Sequence, residues 1–367
     1  MKIAIFSNSS WSIYNFRRNL IKKLIDLKHR IIIISSKDAF TSKLTKMGCE
    51  FVNIDLKNNK IYLLSEIFLL VKIIYIFFKI KPDYLLNYTI KPLIYGTFLA
   101  NFFSIKVINM ITGLGTIFIK NNYLTKIVIF FYRISFKKAK VVFFQNKDDL
   151  KIFIDNQIIP KKKTILIPGS GVDLKFYKFF RLKKKKKLRF ILISRMLIEK
   201  GIVEYLEAAS KFSKKNNCEF YLLGPIIENN SSSISKELIH KFVKQKTIKY
   251  IAFVKNINKH VKNADCVVLP SYREGTPRSL LEACSIGRPI ITTNAPGCKN
   301  VIRNNFNGFK CFPRSANSLF IAMKKFINLT HKQRIQMSLN ARKFVEQNFD
   351  ENLVIEKYLN QIKILNV

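Results

Sequence analysis

The sequence predicts an α/β protein made of two doubly wound parallel sheets, with a helical C-terminus. Three observations predict it. The 367 residues are more than twice the prior of about 150 for one domain. Short β-branched or aromatic runs alternate with longer helix-periodic segments, the pattern of a parallel sheet covered on both faces. The alternation is interrupted once, by Pro168-Gly169-Ser170-Gly171 and the lysine run 183–187, and then restarts.

In the first half, the β-branched and aromatic runs place strands at 3–6, 30–35, 50–54, 84–88, 107–111, 141–145 and 164–167. The periodic segments between them place helices at 15–27, 63–78, 93–103, 124–136 and 147–156. Residues 1–170 are therefore expected as a first doubly wound, Rossmann-like domain. Gly and Pro bend the backbone and five consecutive lysines cannot form core, so 171–187 is expected as a linker. The restart gives strands at 188–194, 219–223, 249–254, 266–270 and 289–293, with helices at 203–214, 233–244 and 277–285. These belong to a second domain, 188–345. The stretch 315–367 reads as three helices, the last of which, 346–367, is expected to cross back to the N-terminal domain. The apolar stretch 61–80 has the length of a membrane span, but Glu66, Lys72 and Lys79 interrupt it. A buried or interfacial helix is expected there.

Composition sets outer limits. With 48% hydrophobic and 24% charged residues the chain can bury a full core, which excludes a disordered polar tail. Lys and Arg number 65 against 23 Asp and Glu, formally +42. Residues 1–168 hold 28 basic and 9 acidic side chains, net +19, and residues 169–367 hold 37 and 14, net +23. An excess so evenly spread marks no single patch. It fits a bias toward Lys, Ile, Asn and Phe, and it fits attraction to an anionic membrane or nucleic acid. Six cysteines without a CxxC pair and four scattered histidines offer no metal-ligand set, so reduced, buried thiols in a cytoplasmic protein are expected. The N-terminus leads straight into a strand-like run, and no signal peptide is expected.

The densest chemical information lies in 269–300. Strand 266–270 ends at Pro270 and leads through the polar loop Ser271-Tyr272-Arg273-Glu274-Gly275 into a helix. Thr276 is the expected N-cap, Pro277 the expected first helical residue and Gly287 the expected stop. Backbone amides at 276–279 and the helix dipole then make an anion site at the strand's carboxyl end. Glu274 and Glu282 cannot usefully face a phosphate, but they can accept hydrogen bonds from hydroxyls on either side of one. A diphosphate flanked by two sugars fits this arrangement. Arg195 and Lys200, at the end of strand 188–194, are the candidate cations for a leaving diphosphate; the alternative for them is a surface ion pair with Glu199.

Glu274-Gly275-Thr276-Pro277-Arg278-Ser279-Leu280-Leu281-Glu282 resembles the Glu-x7-Glu motif of glycosyltransferase family 4, retaining enzymes of GT-B fold. Ser194-Arg195-(x4)-Lys200-Gly201 resembles that family's diphosphate clamp, and Gly171-Val172-Asp173 its interdomain Gly-Val-Asp. Arg288-Pro289-Ile290-Ile291-Thr292-Thr293, Pro296-Gly297 and Asn307-Gly308 resemble its later C-terminal segments. Asn87-Tyr88-Thr89-Ile90-Lys91-Pro92 and Ile111-Thr112-Gly113-Leu114-Gly115 resemble a branch that builds bacterial polysaccharide or lipid-linked oligosaccharide. Where many members carry Gly-Gly after the first strand, this chain has Ser9-Ser10-Trp11.

The resemblance implies two Rossmann-like domains facing across a cleft, and roles for named residues. Arg195 and Lys200 would hold the diphosphate, Glu282 the nucleotide ribose and Glu274 the donor sugar. Backbone amides at Gly275, Thr276, Pro277 and Arg278 would hold phosphate and sugar, in so far as each has an N–H. Lys91, Gly113 and Gly115 are acceptor-side candidates; the alternatives are a solvated helix start for Lys91 and turn conformations for the glycines. The implied activity is retaining transfer of a hexose or N-acetylhexosamine from a nucleotide sugar, UDP-linked, to a lipid-linked or polysaccharide acceptor. The acceptor is met at the inner face of the cytoplasmic membrane, and no cofactor is implied. No Asp-x-Asp occurs, so metal independence is expected, with cationic side chains replacing the metal. No nucleic-acid recognition motif is present, so nucleic acid is not an expected partner. Two alternatives stay open: a basic nucleic-acid binder without activity, and a sugar-nucleotide epimerase of the same fold.

Overall fold

A computed structural model describes residues 1–56, 63–115, 118, 123–212, 217–228, 230–254 and 256–366. The chain divides into two compact units, each built on one all-parallel sheet.

The first unit comprises Met1–Ser170 and Val354–Val367. Its strands are β1 (Lys2–Phe6), β2 (Arg30–Ser35), β3 (Glu50–Asn53), β4 (Tyr84–Tyr88), β5 (Lys106–Ile111), β6 (Val141–Phe144) and β7 (Thr164–Leu166). Their order is β3-β2-β1-β4-β5-β6-β7, so connection direction reverses between β1 and β4. The two-residue period of the strands divides the core. Ile3 and Ile5 face a layer containing helix Ser10–Asp26 and the C-terminal residues Val354, Tyr358 and Ile362. Ala4 and Phe6 face the opposite layer, where Leu69, Ile73, Ile76 and Phe77 of helix Leu63–Ile80 pack.

The second unit is Gly171–Leu353. It contains β8 (Leu188–Ile193), β9 (Cys218–Leu223), β10 (Lys249–Ile251), β11 (Cys266–Leu269), β12 (Ile290–Thr293) and β13 (Gly308–Cys311). The order β10-β9-β8-β11-β12-β13 reverses between β8 and β11. Helices Ile202–Ser210 and Ala316–Asn328 cover one face, and Arg278–Ser285 the other.

Several boundaries differ from expectation. Residues 171–187 are part of the second unit and not a separate linker: Val172 and Leu182 are buried and Phe180 N–H donates to Ile286 O, although the lysines at 183–187 are exposed as expected. The expected final segment 346–367 is split. Helix Glu351–Ile364 begins in the second unit and ends in the first. The expected helix 93–103 is a π-helical turn, Pro92–Gly96, followed by a short α-helix, Thr97–Ala100. Helix 15–27 starts earlier, at Ser10, because the Ser9 hydroxyl caps Ser12 N–H. Strand β13 and the short helices Thr41–Lys46 and Ile257–Lys262 have too few residues to show periodicity and were not expected. Residues 61–62 of the apolar stretch and 213–214 of the expected helix 203–214 lie outside the described residues. Among the described residues no helix is long and apolar enough to cross a membrane.

Candidate functional site

Strands β8 and β11 pair in parallel, Cys266 opposite Phe190 and Val267 opposite Ile191, so their carboxyl ends emerge side by side where the strand order reverses. That is where open α/β sheets bind ligands. The loop after β8 carries Ser194 and Arg195, then a 3-10 turn Ile198–Lys200, and turns at Gly201 into helix Ile202–Ser210. Gly201 has φ +74°, and a Cβ there would lie 2.2 Å from Pro270 O. Glycine is what lets the Lys200 turn lie against the end of β11.

The loop after β11 is fastened to this turn. The Ser271 hydroxyl and the Tyr272 N–H both donate to Glu199 O, at 3.0 and 2.9 Å. The Tyr272 phenol donates to Glu204 Oε1 at 2.5 Å, and burial together with that contact pushes its pKa well up. From the other side, Glu274 N–H donates to Pro296 O at 3.0 Å, and a Cβ on Gly297 would meet Glu274 O at 2.1 Å. The Thr293 and Thr292 hydroxyls donate to Ser271 O and Leu269 O. Beneath them Arg288 is fully buried, donating to Phe180 O and Ala264 O, and burial lowers its pKa to about 10.

This frame aims the chemistry. Lys200 Nζ lies 2.5 Å from Glu274 Oε1, so Lys200 pairs with Glu274 and the expected alternative partner Glu199 instead serves through its carbonyl. Helix Arg278–Ser285 starts immediately after, and buries Leu280, Leu281 and Cys284. Its N-cap is Pro277, in an extended conformation with no side-chain bond, so Thr276 is not the cap and Pro277 is not the first helical residue. Extended Pro277 leaves the turn before it to the loop. Gly287, at φ +82°, ends the helix as expected. Arg278 Nε lies 3.1 Å from Glu282 Oε1 one turn on, and Arg278 Nη1 donates to Gly171 O at 2.5 Å. That bond fixes the Gly171-Val172-Asp173 segment to the start of the helix.

A cavity of about 190 Å³ opens at this point, walled by Arg195, Lys200, Glu274, Pro277, Arg278, Ser279 and the ends of β8 and β11. Three cations and a helix N-terminus face one carboxylate, an arrangement that attracts an anion. Its size is below the roughly 300–1,000 Å³ of a full ligand pocket and gives room for a group the size of a phosphate, not for a whole nucleotide sugar. Gly275, Thr276 and Glu282 stand beside the wall and not on it. The Arg195 side chain is exposed at the rim. Sequence reasoning missed Glu204 and Tyr272 as supports and the Arg278–Glu282 pair; the only sequence signal for the last was the four-residue spacing.

A larger cavity, about 490 Å³, lies in the first unit by Met1, Lys81, Asp83, Tyr84, Lys106 and Asn366. It sits at the amino ends of β1, β4 and β5, away from the switch point, and gathers no comparable constellation. At the carboxyl ends of β4 and β5 stand the acceptor-side candidates. Lys91 is not a solvated helix start: its Nζ lies 2.7 Å from Glu66 Oε1, and the Tyr95 phenol donates to Glu66 Oε2 at 2.8 Å. Glu66, read from sequence as an interruption of a span, is thus a buried partner. Gly113 and Gly115 have φ +121° and +66°, and a Cβ on Gly115 would meet nothing within 4 Å. The positive φ at both positions is one that glycine adopts without strain, and no protein atom occupies the space beside Gly115. Among the described residues no three His, Cys, Asp or Glu side chains form a metal-ligand group.

Comparison with known proteins gives two family matches. Residues 174–344 match "Glycosyl transferases group 1" and residues 2–146 match "Glycosyl transferase 4-like". The chain is 28% identical to the N,N'-diacetylbacillosaminyl-diphospho-undecaprenol alpha-1,3-N-acetylgalactosaminyltransferase of Campylobacter jejuni, over 98% of this chain and 97% of that one. It is 26% identical to the capsular polysaccharide biosynthesis glycosyltransferase CapM of Staphylococcus aureus, over 90% and 89%. Its fold superposes on Anabaena HepE in complex with UDP-glucose with a TM-score of 0.82 at 16% identity, covering 99% of both chains.

Proposed function

The chain belongs to the glycosyl transferases of the group 1 and 4-like families, and on that premise we propose that it is a retaining enzyme of envelope glycan synthesis. In this reading it transfers an N-acetylhexosamine or hexose from a UDP-sugar to a lipid-diphosphate-linked acceptor at the cytoplasmic face of the membrane. The observation that carries the reading is the convergence of Arg195, Lys200 and Arg278 on the cavity at the reversal point of the second sheet. The lipid-linked acceptor is supported by the activity for which the Campylobacter relative is named, and UDP by the ligand of the Anabaena neighbour.

The proposed chemistry runs on one face of the sugar. The bond from the anomeric carbon to the β-phosphate oxygen breaks, and its electron pair leaves with UDP. The acceptor hydroxyl attacks the same face and gives its proton to the departing phosphate. Charge accumulates on the diphosphate, where Lys200, held by Glu274, stabilises it from the cavity wall and Arg195 from the exposed rim. Glu274 accepts hydrogen bonds from the donor sugar and Glu282 from the ribose. No metal is needed in this scheme, because the two cations supply the positive charge.

The test is transfer from UDP-sugars to a short polyprenyl-diphosphate-linked sugar, with the product's anomeric configuration read by NMR. Lys200→Ala is expected to lower kcat about 10²–10³-fold, the loss typical of one oxyanion-stabilising donor. Excess EDTA is expected to leave the rate intact. Unchanged turnover in Lys200→Ala rejects the site, a metal-restorable loss in EDTA rejects the metal-free scheme, and release of free sugar in place of glycoside turns the assignment to an epimerase.

A further inference from the structure

Helix Leu63–Ile80 buries one face and leaves the other without cover. Inward, Leu69, Ile73, Ile76 and Phe77 join the first unit's core. Outward, Leu64, Phe68, Val71, Tyr75 and Phe78 form a stripe at helical spacing, with Phe68 75% and Phe78 66% exposed. At about 100° per residue, Lys72 and Lys79 fall along one border of this stripe. Both are exposed.

The next long helix on that side of the sheet, Tyr123–Phe136, repeats the arrangement. It packs with Tyr132 and Phe136 inward and leaves Tyr123, Leu124, Phe130 and Phe131 exposed. Lys126, Arg133, Lys137 and Lys138 are exposed along and just after it. Across 63–81 and 123–140 the one acidic residue is Glu66, turned inward to Lys91 and Tyr95.

We propose that these two helix faces are the surface by which the protein lies on an anionic lipid bilayer, the aromatic stripe in the acyl–headgroup boundary and the lysines at the phosphates. This deepens the membrane-associated reading above and rests on it. Charge decides the occupant. A second copy would bring two cationic faces together, whereas anionic headgroups complement both the apolar stripe and its basic border. Because Lys91 at the end of β4 is bonded to the inner side of the same helix, docking this face holds the acceptor-side segment at headgroup level.

The test is co-sedimentation of the full chain with phosphatidylcholine vesicles containing phosphatidylglycerol, without donor or acceptor, so that failure indicts this surface and not glycosyl transfer. The Phe68→Ser/Tyr75→Ser double variant is expected to weaken binding at least about tenfold, since two large apolar side chains no longer enter the boundary. Lys72→Glu/Lys79→Glu is expected to remove the dependence on phosphatidylglycerol. Phe312→Ser, an equally exposed aromatic of the second unit, is expected to bind as the parent does. Parental binding by both double variants, or an equal loss in Phe312→Ser, overturns the proposal. So does a dimer in light scattering that Phe68→Ser/Tyr75→Ser splits, which makes a second copy the occupant.

Discussion

Lys200 and Glu274 are held together before any substrate arrives, with 17% and 15% of their side chains exposed. In the proposed reaction a diphosphate entering the cavity competes with the carboxylate for the same ammonium. The carboxylate keeps the lysine aimed at the cavity, and it is also the one carboxylate among the cavity's lining residues. Glu274→Gln removes the repulsion while keeping the shape. It is therefore expected to tighten binding of free UDP, measured calorimetrically, while slowing sugar transfer at least about tenfold through loss of the charged acceptor for sugar hydroxyls. Equal changes in both quantities would show that Glu274 acts only as a support for Lys200. Arg278 has a different position. Its guanidinium bonds Glu282 and Gly171 O while lining the cavity, so it organises the helix start as well as the cavity wall.

Among the elements, helix Arg278–Ser285 and the strand before it are the most legible in the sequence. Pro270, Gly275, Pro277 and Gly287 punctuate a short apolar pattern whose period is unambiguous. The cap is not legible, because Thr-Pro has two plausible alignments and only the extended Pro277 backbone distinguishes them. Strand β13 is illegible because Gly308-Phe309-Lys310-Cys311 has no β-branched residue, and its place is set by pairing with β12. On the outer strands, charge adds a pH dependence. Burial pushes Glu219 up, but hydrogen bonds from Lys249 and Arg189 outweigh it and hold its pKa below the ordinary 4.5. A depressed carboxylate contributes stability that is present above its unfolded value and lost as pH falls through the folded one. Acidification below about pH 4.5 is expected to lower the melting temperature, and Glu219→Gln is expected to flatten that dependence above the folded value; the contribution is small because these groups are partly exposed.

At the scale of the whole molecule, alternation of strands and helices reveals two parallel sheets, and the interruption near 170 reveals where one ends. It does not reveal that 171–187 belongs to the second unit. A lysine run dominates the reading of those residues, while their structural affiliation depends on Val172, Leu182 and carbonyls that Arg278 and Arg288 satisfy. Nor can sequence settle where the last helix changes unit, because Val354, Tyr358 and Ile362 form an ordinary apolar stripe that could serve either sheet. In the structure the Tyr358 ring lies edge-on to Phe143 at 4.8 Å, and the Tyr84 phenol donates to Ile362 O. Deleting residues 354–367 should therefore destabilise the first unit selectively. Hydrogen exchange should rise along β1, β4 and β6, while β8 and β11 keep their protection; uniform exchange in both units would refute this.

The same C-terminal segment sets an order of events during synthesis. The ribosome finishes every strand of the first sheet before it begins the second, yet the side chains that complete the first core emerge only after every strand of the second. Until Tyr358 has emerged, the surface awaiting it stays open, and the nascent N-terminal half is the portion most in need of a chaperone.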